Sequence, residues 1–316
     1  MKLLIARPMT IAVESRARTE FDVEIRSSTL PMSPEEMLRA LTEFDVVVPT
    51  LGDQFSAKVF AEVPQLRCKL LANFGVGYNH IDVAAARAAG IEVTNTPGAV
   101  TDATADIAMS LLLSTARRAG EGERLVRSGN WQGWHPTQML GHHVTGKRVG
   151  IVGMGRIGQA IAWRCHFGFG MDVVYQSRSP KEVEFPAENI PDLKELASVV
   201  DFLVLAVPGG AETRHLINAH VLEAMKPSGI LINIARGEVV DESALIAALQ
   251  AGQLAGAGLD VYEFEPAVPQ ALRDMENVTI LPHLGTATEE VRTDMGQLAL
   301  DNVAAYVAGR PLPNPV

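Results

Sequence analysis

Cysteine is almost missing from this chain: its 316 residues contain two, Cys68 and Cys165. Two thiols cannot make a disulfide framework, and such sparse use points to a reducing compartment, the cytoplasm. Aromatic residues are also few, at 5%. No apolar run approaches the roughly 18 residues that would cross a bilayer. The stretch from Met1 to Ala6 is apolar but short, and Arg7 and Pro8 interrupt it, so the apolar core and cleavage site of a signal peptide are lacking. A basic excess is absent as well. Lys and Arg total 27 against 37 Asp and Glu, for a net charge of −10, which argues against nucleic acid as a partner. An anionic small ligand stays open, because one local arginine can override the total. The expectation is an acidic, soluble, cytoplasmic protein whose partners are neither membrane nor nucleic acid.

What is present is ordinary globular composition, with 47% hydrophobic and 20% charged residues. At roughly 150 residues per domain the length suggests two domains. Short β-rich runs alternate with helical patterns almost from end to end, which predicts an α/β fold built on parallel sheets. In the first third the predicted strands are 2–6, 23–25, 46–48, 70–72 and 91–94. Ser33-Pro34-Glu35-Glu36 carries an N-cap, a proline at the first helical position and a capping-box glutamate. The Ala-rich run 83–89 stops at Gly90, a C′ glycine. The longest apolar-periodic stretch of this half is 102–119, which reads equally as a bridge between domains or as a core helix. Residues 129–146 hold Trp131, Trp134, His135 and Pro136 without a sustained period, and a long irregular segment is usually functional or interfacial. A second α/β series follows, with predicted strands at 148–152, 172–175, 202–206, 230–233, 257–261 and 278–281. Helices are predicted at 243–250 and 287–308.

Arg148 to Val152 runs into Gly153-Met154-Gly155-Arg156-Ile157-Gly158 and a helix-like continuation. Strand before and helix after are the context that turns GxGxxG into a dinucleotide fingerprint. Gly153 permits the tight turn, Gly155 admits a pyrophosphate to the backbone, and Gly158 lets helix pack on strand. Arg156 and Ile157, opening the helix, are counted as cofactor contacts, with Val207 and Pro208 after the 202–206 strand. About 20 positions on, where an acid would bind the ribose of NAD, stand Ser177 and Arg178. A hydroxyl and a guanidinium suit a 2′-phosphate, so NADPH is the preferred cofactor and NADH the alternative.

Three stretches of the second half each follow a predicted strand: 233–237 with Arg236, 258–266 with Glu265, and 281–285 with His283. Ligands gather at the carboxyl ends of strands in open α/β sheets, so the three could converge. Taken singly, each has a bland reading: a surface arginine, a turn acid before Pro266, a structural histidine. At these residues the chain resembles the D-isomer-specific 2-hydroxyacid dehydrogenases over nearly its whole length, and among them the glyoxylate/hydroxypyruvate reductases. The run 73–82, Asn-Phe-Gly-Val-Gly-Tyr-Asn-His-Ile-Asp, is similar to that family's substrate loop. Trp131 to Pro136 is similar to a subunit-interface segment, and Ser177-Arg178-Ser179 to an NADP-type variant.

The resemblance implies two doubly wound domains, with a Rossmann cofactor domain at 99–287 inserted into a substrate domain made of 1–98 and 288–316, and an active site at the cleft. It implies NAD(P)-dependent reduction of a small 2-keto acid. His283 would protonate the carbonyl oxygen, Glu265 would favour the imidazolium, and Arg236 would bind the carboxylate. Val76 and Gly77 would offer backbone N–H groups, and Leu51 an apolar wall or only core packing. Asp260 would meet the nicotinamide carboxamide, with Ala235, Gly285 and Thr286 nearby. Trp134 is either an interface aromatic of a homodimer or a residue reaching the partner's pocket. Phosphite oxidation would call for a lysine where Val76 stands, and formate oxidation lacks the Glu–His pair. A nucleotide-sensing co-repressor scaffold, which shares the fold, would call for a partner-binding extension that is not evident here. His142 and His143 read as loop residues, and no metal is expected.

Overall fold

A computed structural model describes residues 1–63 and 65–316. The chain divides into two compact units, Met1–Val100 with Thr286–Val316, and Thr101–Gly285. Each is built on a parallel sheet, so the α/β class and the doubly wound sheets are as expected.

The first unit contains β1 (Lys2–Ile5), β2 (Asp22–Ile25), β3 (Val46–Val48), β4 (Leu70–Ala72) and β5 (Glu92–Thr94). Their order is β2-β1-β3-β4-β5. Central strands covered on both faces need no polar alternation, which is why β3 is Val-Val-Val and β4 Leu-Leu-Ala, both wholly buried. The capping box forms: Ser33 Oγ accepts from Glu36 N–H at 3.2 Å, and Glu36 Oε2 accepts from Ser33 N–H at 2.8 Å. The helix Ile11–Glu20 has no counterpart in the expected elements. Only Val13 and Ala17 of it are buried and Thr10 caps it without a side-chain bond, so it leaves almost no periodic signal. The C-terminal helix Glu289–Val307 lies against it at Gly296, where a Cβ would come within 2.5 Å of Val13.

The second unit contains β6 (Arg148–Val152), β7 (Asp172–Gln176), β8 (Ala187–Asn189), β9 (Phe202–Leu205), β10 (Ile230–Asn233), β11 (Gly256–Leu259) and β12 (Val278–Ile280). The order is β12-β11-β10-β9-β6-β7-β8. Strand order reverses between β6 and β9, the switch point at which such sheets bind nucleotides. Register then matters. Gln176, Val152, Leu205, Asn233, Leu259 and Ile280 pair in one row across the sheet, so the loops that follow them open on one edge.

Four elements depart from expectation here, the first being the edge strand β8, where no strand was predicted. The 102–119 stretch is a core helix, Thr101–Ala116, and Arg118 at φ 53° separates it from a second helix, Ala119–Arg127. The strand expected at 257–261 ends at Leu259: the Asp260 N–H still donates to the Asn233 carbonyl, but its carbonyl and carboxylate turn to the next loop. A single π-turn, Arg164–Gly168, continues the helix Arg156–Trp163. Residues 129–145 hold neither helix nor strand, and Trp131 and Trp134 are 51% and 78% exposed there. Among the described residues no helix is long and apolar enough to cross a membrane.

Candidate active site

The glycine turn after β6 has the geometry its residue types require. Gly153 has φ 96°, and a Cβ on it would lie 2.8 Å from the Ala206 carbonyl. A Cβ on Gly158 would lie 2.1 Å from the Gly153 oxygen, so strand and helix can touch only there as glycines. Around Gly155 nothing lies within 4 Å of a built Cβ. Gly155 caps the helix without a side-chain bond, and among the described residues no acceptor takes the N–H of Arg156 or Ile157. Unfilled donors at an open helix start suit a phosphate group. Val207 packs beside Gly153, and Pro208 is exposed beyond it.

At the end of β7, Ser177 Oγ donates to the Ser179 carbonyl at 2.5 Å. Lys181 Nζ donates to Ser179 Oγ at 3.1 Å, adding a second cation that sequence reasoning did not weigh. Arg178 is almost fully exposed and lies 3.7 Å from the Glu212 carboxylate, another residue the sequence pattern left unmarked.

The turn after β10 is shaped by Asn233, whose Nδ2 donates to the Arg236 carbonyl and whose Oδ1 accepts from Ala235 N–H, both at 3.0 Å. Gly237 presses on the next loop: a Cβ there would overlap the Tyr262 carbonyl. The Arg236 side chain donates through Nη1 to its neighbour's carbonyl at 2.7 Å. Its Nε is buried and has no hydrogen-bond partner among the described residues. Burial holds the guanidinium below its usual range, against the opposing pull of Glu265 and Glu238. A buried, under-bonded cation is costly alone and is a ready receptor for a carboxylate.

Glu265 and His283 do meet. His283 Nδ1 lies 2.9 Å from Glu265 Oε2, and Glu265 Oε1 accepts from Tyr262 N–H at 3.0 Å. Burial would raise the Glu265 carboxyl, but His283, the Tyr262 N–H and Arg236 outweigh it, so it lies below the usual range. An ionised carboxylate only accepts, so Nδ1 carries the proton and Nε2 is left for other chemistry. His283 adopts φ 56°, a left-handed conformation that a side chain makes strained and that clusters at functional sites. Asp260 stabilises this loop. Its carbonyl accepts from His283 N–H at 2.9 Å, and its carboxylate accepts from Leu284 and Gly285 N–H at 2.6 and 2.8 Å. Burial pushes the Asp260 carboxyl up, opposed by those N–H donors and by His283. Ala235 is buried next to Arg236, and Gly285 is buried against Asp260.

Within the first unit, the loop after β4 is held by asparagines. Asn73 Nδ2 donates to the carbonyls of Gly75 and Gly77, each at 3.1 Å, and Asn95 Nδ2 to that of Val76 at 2.9 Å. With those carbonyls occupied, the N–H groups of Val76 and Gly77 have no acceptor among the described residues. Leu51 follows β3 and is half-buried. Thr286 belongs to this unit, where its carbonyl accepts from Arg292 Nε at 3.1 Å. The two cysteines are buried free thiols that burial pushes up to about 12, so neither is a nucleophile.

The family description "D-isomer specific 2-hydroxyacid dehydrogenase, NAD binding domain" matches residues 109–285. The chain is 45% identical over 319 aligned residues to a glyoxylate reductase of Thermococcus onnurineus, covering 99% of this chain and 94% of the other. It is 38% identical to a glycerate dehydrogenase of Hyphomicrobium methylovorum, covering 98% and 96%. Among solved structures, an NADPH-dependent glyoxylate/hydroxypyruvate reductase from Sinorhizobium meliloti, in complex with NADP and malonate, is similar with a TM-score of 0.89. That structure is 36% identical, covering 100% of this chain and 96% of the other.

Proposed function

The chain belongs to the D-isomer-specific 2-hydroxyacid dehydrogenase family, as an NAD(P)-dependent oxidoreductase, and from that premise we propose that it reduces glyoxylate and hydroxypyruvate to glycolate and D-glycerate. The observation that carries the reading is the under-bonded guanidinium of Arg236 within electrostatic reach of Glu265, the carboxylate that holds His283. The relatives named as glyoxylate reductases support the substrate class.

The bound nicotinamide cofactor supplies the hydride that reduces the keto carbon. Arg236 binds the substrate carboxylate and polarises the keto oxygen, a forked task that lysine performs poorly. His283 Nε2 gives that oxygen a proton while Glu265 balances the imidazolium at Nδ1. Reduction therefore needs the protonated ring, and oxidation of the hydroxy acid needs the neutral one. The free N–H groups of Val76 and Gly77 add donors for the carboxylate, and Leu51 supplies an apolar contact. Residues 1–100 with 286–316 form the substrate domain, and 101–285 the cofactor domain.

Gly153, Gly155, Arg156, Ile157 and Gly158 hold the pyrophosphate, with Val207 and Pro208 at the lip. Ala235, Asp260, Gly285 and Thr286 serve the nicotinamide end. Each Asp260 oxygen keeps a lone pair beyond its loop bond for the carboxamide. The cofactor is NADPH. Ser177, Arg178 and Ser179 receive the 2′-phosphate, which would take the place of Glu212 on Arg178. The exposed Trp131 and Trp134 support a homodimer, in which Trp134 lines the substrate pocket of the partner.

The test is NADPH absorbance decay with the purified protein on hydroxypyruvate, glyoxylate, pyruvate and 2-ketoisocaproate in turn. Fastest turnover on the first two is expected, with higher kcat/KM for NADPH than for NADH. Flat traces on all four would overturn the reading, and a higher kcat/KM with NADH would overturn the choice of cofactor.

A further inference from the structure

Residues 207–215, which follow β9, begin with the lip residues Val207 and Pro208 and end on His215 in a left-handed conformation, φ 50°. Such strain persists only where surrounding bonds hold it. His215 N–H donates to the Glu238 carbonyl at 2.8 Å, and its Nε2 lies 2.8 Å from Glu263 Oε1. Arg214 Nη2 donates to the same oxygen at 3.0 Å. The Glu263 side chain is 7% exposed, although both its neighbours, Arg214 and His215, reach solvent. Glu263 stands two residues before Glu265 on the same turn, and its N–H donates to Glu242 Oε2 at 3.3 Å. The loop is also seated from below: Gly210 N–H donates to Glu238 Oε1 at 2.9 Å, and a Cβ on Gly209 would lie 2.7 Å from Arg236 Cγ.

None of these groups has a part in the proton or hydride steps. A buried carboxylate is an expensive way to gain stability, since apolar packing of equal volume often does as well. What it gives instead is a fixed distance between two loops.

We propose that Glu263 is a positioning residue: through His215 and Arg214 it ties the cofactor-lip loop, 207–215, to the turn that carries Glu265. The inference rests on the function proposed above. Lip and proton relay are then aligned by one enclosed carboxylate. Loss of that tie loosens cofactor binding and lowers turnover, while the substrate carboxylate still meets Arg236.

Glu263→Ala and His215→Ala should each weaken NADPH binding by about 10–100-fold, the scale of one lost charge-assisted hydrogen bond. Fluorescence titration reads this directly. Hydroxypyruvate kcat should fall with its KM nearly unchanged. The double variant should be no worse than Glu263→Ala, which already removes the His215 bond along with the Arg214 bond. Glu263→Gln, which keeps an acceptor and the side-chain shape, should recover most of the NADPH affinity. In the cofactor-free protein, amide exchange across 207–215 should quicken in Glu263→Ala while β6 keeps its protection. Additive losses in the double variant would overturn the proposal. So would a lower melting temperature with unchanged NADPH affinity and unchanged loop exchange. The exchange measurement needs no turnover, so it separates failure of this tie from failure of the functional reading.

Discussion

The two sheets end their strands on chemically different loops. After β4 the first unit presents backbone N–H groups, those of Val76 and Gly77, on a loop whose carbonyls Asn73 and Asn95 hold. After β10, β11 and β12 the second unit presents ionisable side chains, and carboxylates hold them: Glu265 on His283, and Asp260 on the His283 loop. Backbone donors neither titrate nor change with the residue that bears them. Side-chain donors do both. On the proposed reading, the first loop contributes binding that ignores pH, and the second contributes chemistry that follows it.

The largest expected effect breaks the second loop. His283→Ala should lower kcat for hydroxypyruvate by about 10²–10⁴-fold, the usual worth of a general acid, with the melting temperature little changed. Steady-state kinetics and thermal unfolding on one preparation check both halves. Near-normal turnover would remove His283 from the mechanism. A smaller effect sharpens the first loop. Asn73→Ala removes the two hydrogen bonds to the loop carbonyls and the one to His80, so KM for the keto acid should rise by roughly 3–10-fold with kcat and its pH profile preserved. A displaced pH profile would mean that the two loops do not divide their tasks in this way.

The smallest effect concerns Glu242 behind the catalytic turn. Burial and the Glu263 charge raise its carboxyl above the usual range, so folding favours the protonated form. The stability it contributes is complete below its unfolded value near ~4.3 and is lost as pH rises through the higher folded value. Glu242→Gln, fixed in a neutral form, should raise the melting temperature at neutral pH by about 1–3 °C, and the gain should vanish in acid. A lower melting temperature at neutral pH would show that the ionised carboxylate is needed there.

Much of this was legible in the residues. Parallel strands covered on both faces appear as unbroken apolar runs, and the glycine turn after β6 requires glycine at 153 and 158 for contacts that any Cβ would block. Arg236, Glu265 and His283 were each placed after a strand, and register explains why their loops open on one edge. What was not legible lacks a local pattern. The helix Ile11–Glu20 buries two residues and has no side-chain cap. The left-handed Arg118 divides a periodic stretch without leaving a glycine as a sign. Asn73, Asn95 and Asn233 matter through backbone groups that sequence does not display, though an asparagine directly after or closing a buried strand is the signal to look for. Glu263 and His215 are far apart in the chain and become partners only through the order of β9, β10 and β11.

The most direct test of the central claim is kcat/KM against pH in both directions, hydroxypyruvate reduction and D-glycerate oxidation, from about pH 5 to about pH 10. One imidazole that must be charged for reduction and neutral for oxidation predicts that reduction falls and oxidation rises as pH climbs. Parallel or flat profiles would contradict a mechanism built on His283 and Glu265.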